Sequence, residues 1–270
     1  MTSVEDVAQW WGTSVSRMEP GVIELRGRPV QDLIGSTSLP SMIWLLVRGS
    51  LPAPGEAALL EAALVASVDH GPQAPSIAAA RMAVTCGVGL NTAIATGAGM
   101  LGDSHGGAGE QAVELLGEIR DAERGGEELT AATARVLAAW QARSRYVPGF
   151  GHRFHPIDPR RGPLLSLVAD AVLDGVVEGD YLRAALAVEE ALNQGRSRPV
   201  PMNIDGATAV IYAELGFAPP LARGLFVLSR SVGILAHAWE ESQQGRRNKG
   251  PIPPAILPAY LGQPGDMGST

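Results

Sequence analysis

The sequence has little of several things, and each shortage excludes something. It holds one cysteine, Cys86, so no internal disulfide and no cysteine-rich zinc site can form. The neighbours of Cys86 are small and apolar, which predicts a buried filler. There is no excess of basic residues: the net charge is −7, and such a chain repels a nucleic-acid polyanion. No HExxH occurs and no two histidines stand four apart on a helix, so a metal centre has no support and no metal is expected. Neither a G-x-S-x-G elbow nor a Walker A loop is present, and no G-x-G-x-x-G follows a strand. Repeats, heptad runs and low-complexity blocks are missing too. Met1-Thr2-Ser3-Val4-Glu5-Asp6 lacks the basic-then-apolar layout of a signal peptide, so the expected compartment is the cytoplasm. One long stretch has no charge, Met82 to Gly102. Its Gly, Thr and Ala content and Asn91 predict a helix buried among helices or at a dimer seam, not a membrane span.

What is there is an ordinary soluble composition, 46% hydrophobic and 18% charged over 270 residues. That length allows one large domain, or a large and a small one. Trp10 and Trp11 sit in a short amphipathic opening expected to pack on a neighbour. Residues 22–30 alternate around a Gly and predict a small β-hairpin. Ser38-Leu39-Pro40-Ser41 opens a helix that ends at Gly49. Helical spacing then covers 56–67, 110–122, 128–143, 163–173, 181–193, 207–215 and 221–241. The fold class is mostly α.

The chain is punctuated at Asp69-His70-Gly71-Pro72, at Gly102–Glu110, at Tyr146–Arg160 and at Pro199–Gly206. Pro148, Gly149 and Gly151 predict a tight loop with exposed backbone amides, ending in His152-Arg153. From Arg143 to Arg161 five Arg stand against one Asp, a local charge of +4 that suggests a small anionic ligand. His70, His105, His152 and Asp205 all stand beside a Gly at such breaks. Polar residues there serve as caps or turn formers. Four of them with an Arg-rich loop also suit proton abstraction next to the carbonyl of an anionic substrate, with imidazoles supporting an oxyanion.

At these residues the chain resembles the citrate synthase superfamily along nearly its whole length. Gly102–Glu110 is similar to the family's GxxHGGAxE segment, Val147–Arg160 to PGxGHR…DPR, and Asn203-Ile204-Asp205-Gly206 to NVD(G). Phe226–Trp239 and the early Arg26-Gly27, Asp32-Leu33 and Leu51-Pro52 also share the family's look. The resemblance implies a helical fold with a large domain over about 1–140 and 205–270 and a small one over about 141–204. It implies a homodimer or higher homo-oligomer, with the site between the two domains. By matching position, His105 would steady the enol(ate) of an acyl-CoA and Asp205 would exchange its methyl proton. His152 would polarise the keto group of a 2-oxo dicarboxylate, and His70 would contact the same ligand. Arg160, Arg230 and Lys249 would hold its carboxylates, with Arg247 as the alternative to Lys249. Pro148, Gly149, Phe150 and Gly151 would take the CoA adenine, and Arg196 and Arg198 would lie near its phosphates. His155 has a weaker claim, and His237, on a helical face, reads as structural. Coenzyme A enters as part of the substrate; no tightly bound cofactor is implied.

Asp69-His70-Gly71-Pro72 and the short chain are closest to the citryl-CoA lyase module of ATP-citrate lyase, whereas His105 is a synthase-like residue. Three functions follow as expectations. They are a citryl-CoA lyase giving acetyl-CoA and oxaloacetate, a short citrate or 2-methylcitrate synthase, and a non-catalytic acyl-CoA-binding protein. Holding His105, His152 and Asp205 together argues against the last, since binding alone needs no base.

Overall fold

A computed structural model describes residues 3–152, 156–253 and 255–262. The chain begins with α1 (Val4–Trp10), then β1 (Ser16–Glu19), β2 (Val22–Leu25), β3 (Arg28–Pro29) and α2 (Val30–Leu33). The helices α3 (Leu39–Arg48), α4 (Pro54–Ser67), α5 (Pro75–Thr85) and α6 (Leu90–Gly99) follow. After them come α7 (Ala108–Arg124), α8 (Leu129–Arg143), α9 (Arg161–Leu173), α10 (Asp180–Asn193), α11 (Ile204–Glu214) and α12 (Pro219–Gln243). The mostly helical fold is as expected. The hairpin is part of a three-stranded antiparallel sheet in the order β1-β2-β3. Its second turn falls on Arg26 and Gly27, at φ 49° and 74°, the left-handed geometry that a two-residue hairpin loop requires. Arg26 then donates from Nε and Nη2 to Leu46 O, at 3.0 and 2.7 Å, and so fastens the sheet to α3.

Two compact units emerge, residues 1–68 with 102–229 and residues 69–101 with 230–270. In the first, α11 is the central element. Ile204 and every residue from Gly206 to Ala213 are buried, against α4, α7, α9 and α10. Each fully buried Ile or Val there contributes ~1.5–3 kcal/mol, so α11 is firmly seated. Residues 141–204, expected to form a small domain, share this core: Leu164, Val168, Ala184 and Val188 cluster with Leu60, Leu116 and Ile211. The apolar faces of α9 and α10 are covered by α4, α7, α8 and α11.

In the second unit, α5 and α6 pack on each other. A Cβ added at Gly97 would lie 2.8 Å from both Ile234 Cγ2 and Ser76 O, so close packing there depends on a small residue. Glu241, whose side chain has no exposure, joins Arg81 (Nε, 2.6 Å) and Lys249 (Nζ, 2.8 Å). Lys249 N also donates to Thr85 Oγ1 at 2.9 Å, which holds the C-terminal segment on α5.

Three local expectations are corrected. The charge-free stretch 82–102 is not one buried helix but the end of α5 and all of α6, parted at Gly87 (φ 91°). Cys86, the C-cap of α5, is exposed, not buried. Trp10 and Trp11, expected to pack on a neighbour, are 84% and 79% exposed, and α1 buries no residue.

Candidate active site

Two helix N-termini in the first unit, those of α7 and α11, lie close to one another, and His105 and Asp205 stand at them. The loop before α7 is tight: His105 N donates to Gly102 O at 3.0 Å, and Gly106 follows at φ 94°. His105 is half-buried. At α11, Asn203 is the N-cap, its Oδ1 accepting from Asp205 N (3.0 Å) and Gly206 N (3.2 Å). The cap starts the helix at Ile204, three residues before the apolar spacing begins, and so places Asp205 in the first turn. A carboxylate there is favoured by the positive end of the helix dipole. A Cβ added at Gly109 would stand 3.8 Å from Asp205 O, which puts the start of α7 against the start of α11. Two turns along α11, burial and the charge of Asp205 push the Tyr212 phenol well above its ordinary range, so it stays neutral.

The loop Val147–Gly151 is pressed onto the same place. Gly149 O accepts from Asn203 N at 3.0 Å, and Gly151 O accepts from Asn203 Nδ2 at 2.7 Å. A Cβ at Gly149 would meet Gly206 Cα at 2.8 Å, so two glycines touch backbone to backbone. Gly151 N donates to Pro201 O at 2.7 Å, and Phe150 bridges to Met202. The segment following α10 is thereby paired with the loop, and it carries Arg196 and Arg198, both exposed. Four of the CoA candidates and these two arginines thus lie on adjoining segments. The loop's expected exposed amides are not seen: Pro148, Gly149 and Phe150 are buried, and Phe150 N and Gly151 N both have partners. The close fit on α11 is the cause. His152 is half-buried just beyond. Arg153 and His155 lie outside the described residues.

Arg160 does not present a free fork. Its Nε and Nη2 each donate to Asp158 at 2.9 Å, and Nη1 reaches Ala66 O at 3.4 Å. Asp158 is buried and also accepts from Ile204 N at 3.0 Å. Burial opposes its charge, but Arg160 and the two backbone amides hold its carboxyl below the ordinary range. Arg161 binds Glu189 (Nε, 2.9 Å), which also accepts from Met202 N at 2.7 Å. The local excess of positive charge is thus partly consumed inside the fold. Asn203, Asp158 and Glu189 were not singled out as site residues. Asn203 carried a legible signal, as an Asn just before a helix, and Asp158 carried one as the first residue of Asp158-Pro159-Arg160.

In the second unit, Asp69 Oδ2 accepts from Gly71 N at 3.1 Å, and His237 Nε2 lies 3.2 Å from Asp69 Oδ1. Burial works against the Asp69 charge, yet Gly71 and His237 hold its carboxyl below the ordinary range. His70 is half-buried beside it, and Arg230 is buried at 3% exposure. Lys249 is engaged by Glu241 of its own chain, while Arg247 is exposed.

A family model described as "Citrate synthase, C-terminal domain" matches residues 52–254. The chain belongs to the citrate synthase family. A glyoxysomal citrate synthase from Cucurbita maxima is 30% identical over 199 residues, which are 72% of this chain but 37% of that protein. The chain therefore spans well under two thirds of that relative. Among solved structures, citryl-CoA lyase from Hydrogenobacter thermophilus matches with a TM-score of 0.82 and 29% identity, over 94% of this chain and 95% of that one. ATP citrate lyase from Methanothrix soehngenii, solved with citrate and coenzyme A, shares the fold at a TM-score of 0.78 and 22% identity, with 42% of that chain covered.

Proposed function

We propose that this citrate synthase family member is a citryl-CoA lyase, cleaving citryl-CoA to acetyl-CoA and oxaloacetate. The observation that carries the reading is the likeness to a citryl-CoA lyase, at a TM-score of 0.82 and 29% identity, against 0.63 and 19% for a citrate synthase matched over as much of both chains. In the cleavage direction His152 takes the proton of the tertiary hydroxyl as the carbon–carbon bond breaks. The hydroxyl carbon becomes the keto group of oxaloacetate, and the bonding pair moves into the enolate of acetyl-CoA. His105 donates to the enolate oxygen, and Asp205 delivers the proton that makes its methyl group. A positioned base contributes ~10²–10⁴-fold, and an oxyanion donor ~10²–10³-fold. The adjoining starts of α7 and α11 support this division of roles.

Coenzyme A is read as part of the substrate, with Pro148–Gly151, Arg196 and Arg198 along it. His70, Arg230 and either Lys249 or Arg247 are proposed ligands of the dicarboxylate. Arg160 has its Nε–Nη2 edge committed to Asp158 and serves first to hold the start of α11. A second copy of the chain is proposed to cover the exposed Val232, Leu235 and Trp239 of α12, which follow one helical stripe.

A short citrate or 2-methylcitrate synthase is the second reading, favoured by His105 and by the Cucurbita relative. Purified protein given citryl-CoA separates the two. Oxaloacetate with acetyl-CoA marks a lyase, and citrate with free CoA marks the hydrolytic step of a synthase. Asp205→Asn should keep CoA binding and lose turnover by at least ~10²-fold; near-normal turnover removes Asp205 from the proton-transfer role.

A further inference from the structure

We propose that Arg223, in the first turns of α12, is a positioning residue that sets the geometry of the His105 loop. The proposal rests on the reading of His105 as the enolate donor. Arg223 Nη2 lies 2.6 Å from Asp103 Oδ1, and Nε makes an ion pair with Glu110. One guanidinium therefore clasps the chain two residues before His105 and five residues after it. The loop lies tightly against this clasp. A Cβ added at Gly107 would stand 3.0 Å from Arg223 Nη2 and 2.7 Å from Asp103 Cα.

The clasp is half-sheltered where it matters. Arg223 and Glu110 side chains are 27% and 17% exposed, whereas Asp103 is 77% exposed. The Glu110 contact thus takes place in the poorer solvent, where charge–charge interactions are stronger. The groups that act on Arg223 or feel its charge are acidic: Asp103 on the loop, and Glu110 and Glu114 on successive turns of α7. Burial first, then Glu110 and Glu118, push the Glu114 carboxyl up, and Arg223 works against that. Without Arg223 the carboxylates at 103 and 110 repel across the loop. An oxyanion donor acts only within about 2.7–3.1 Å of the charge that develops, so a small drift of this loop reaches the chemistry.

The test compares Arg223→Ala, Arg223→Lys and the milder Glu110→Gln in the full chain. With citryl-CoA, Arg223→Ala is expected to lower kcat by ~10–100-fold, the scale of a displacement near 1 Å, while KM stays within about twofold. Arg223→Lys should recover part of kcat, because a point charge pairs with one carboxylate at a time, and Glu110→Gln should fall between Lys and wild type. A second readout needs no turnover. In ¹³C-histidine-labelled protein the His105 ring resonance, assigned with His105→Gln, should shift in Arg223→Ala while that of His237 stays in place. Wild-type kcat in Arg223→Ala, with or without a shifted resonance, overturns the proposal. So does a loss of activity that follows only the fraction folded and is not recovered by Lys. A wild-type chain that does not cleave citryl-CoA would defeat the functional reading instead, and an unmoved His105 resonance would still defeat the clasp.

Discussion

Replacing Asp158 by Asn takes one negative charge out of the interior while keeping the shape of the side chain. The carboxylate accepts from Arg160 N (3.0 Å), Arg160 Nε (2.9 Å), Arg160 Nη2 (2.9 Å) and Ile204 N (3.0 Å). An amide can accept only through its oxygen, and its nitrogen would turn hydrogens toward other donors. Removing one partner of a buried ion pair costs ~3–5 kcal/mol. The Arg160 side chain is 25% exposed and regains some hydration, so the expected loss is near the lower end, about 3 kcal/mol. For a chain of this size that lowers the melting temperature by ~6–12 °C. Thermal and urea unfolding followed by circular dichroism measure it, and Arg160→Ala closes a double-mutant cycle with an expected coupling of ~1–3 kcal/mol.

The pH dependence has a definite sign. The folded pKa of Asp158 lies below its unfolded value, so its contribution is complete above the unfolded pKa, near ~3.9. It is lost as pH falls through the folded pKa, and the gap between wild type and variant should close in acid. A loss below about 0.5 kcal/mol, the range of an indifferent surface change, would refute the reasoning, as would an additive cycle.

Two glycines should respond in opposite directions. Gly206→Ala puts a Cβ 2.6 Å from Met202 Cγ and closer still to Gly149 O, so overpacking should cost ~1–3 kcal/mol or more and lower kcat. Gly117→Ala, inside α7 with nothing within 4 Å, should stabilise by ~0.4–1 kcal/mol in the same unfolding assay. Glu241→Gln should destabilise by ~3 kcal/mol at neutral pH, since it leaves Arg81 and Lys249 without their buried carboxylate. Burial opposes the Glu241 charge, but Lys249 and Arg81 hold its carboxyl below the ordinary range. That difference too should vanish in acid, and limited proteolysis after Arg246 or Arg247 should become faster.

Local signals were sufficient wherever a few neighbours in sequence decide the outcome. Ser38 and Gly49 mark the cap and the end of α3 as they stand in the structure, because capping is a property of one turn of chain. Apolar spacing located α4 and α7 to α12 within a few residues, since one buried face suffices to show a helix. Gly102–Glu110, Val147–Arg160 and Asn203–Gly206 were recognisable because their small and polar residues are required at those points by close backbone approach. The sequence alone therefore determined the helical class and the family.

Long-range pairing was decided only by the tertiary structure. Asp158 stands only two residues from Arg160, yet the sequence does not say whether that fork takes it or a ligand, and nothing near Lys249 announces Glu241; each choice depends on which carboxylate the fold buries beside the cation. The buried backbone of Pro148–Phe150 follows from contact with α11, fifty residues away. Arg223 was not singled out because its partners, Asp103 and Glu110, stand more than a hundred residues earlier. Composition sets how many charges a chain carries. Burial and distance set which of them remain available for chemistry.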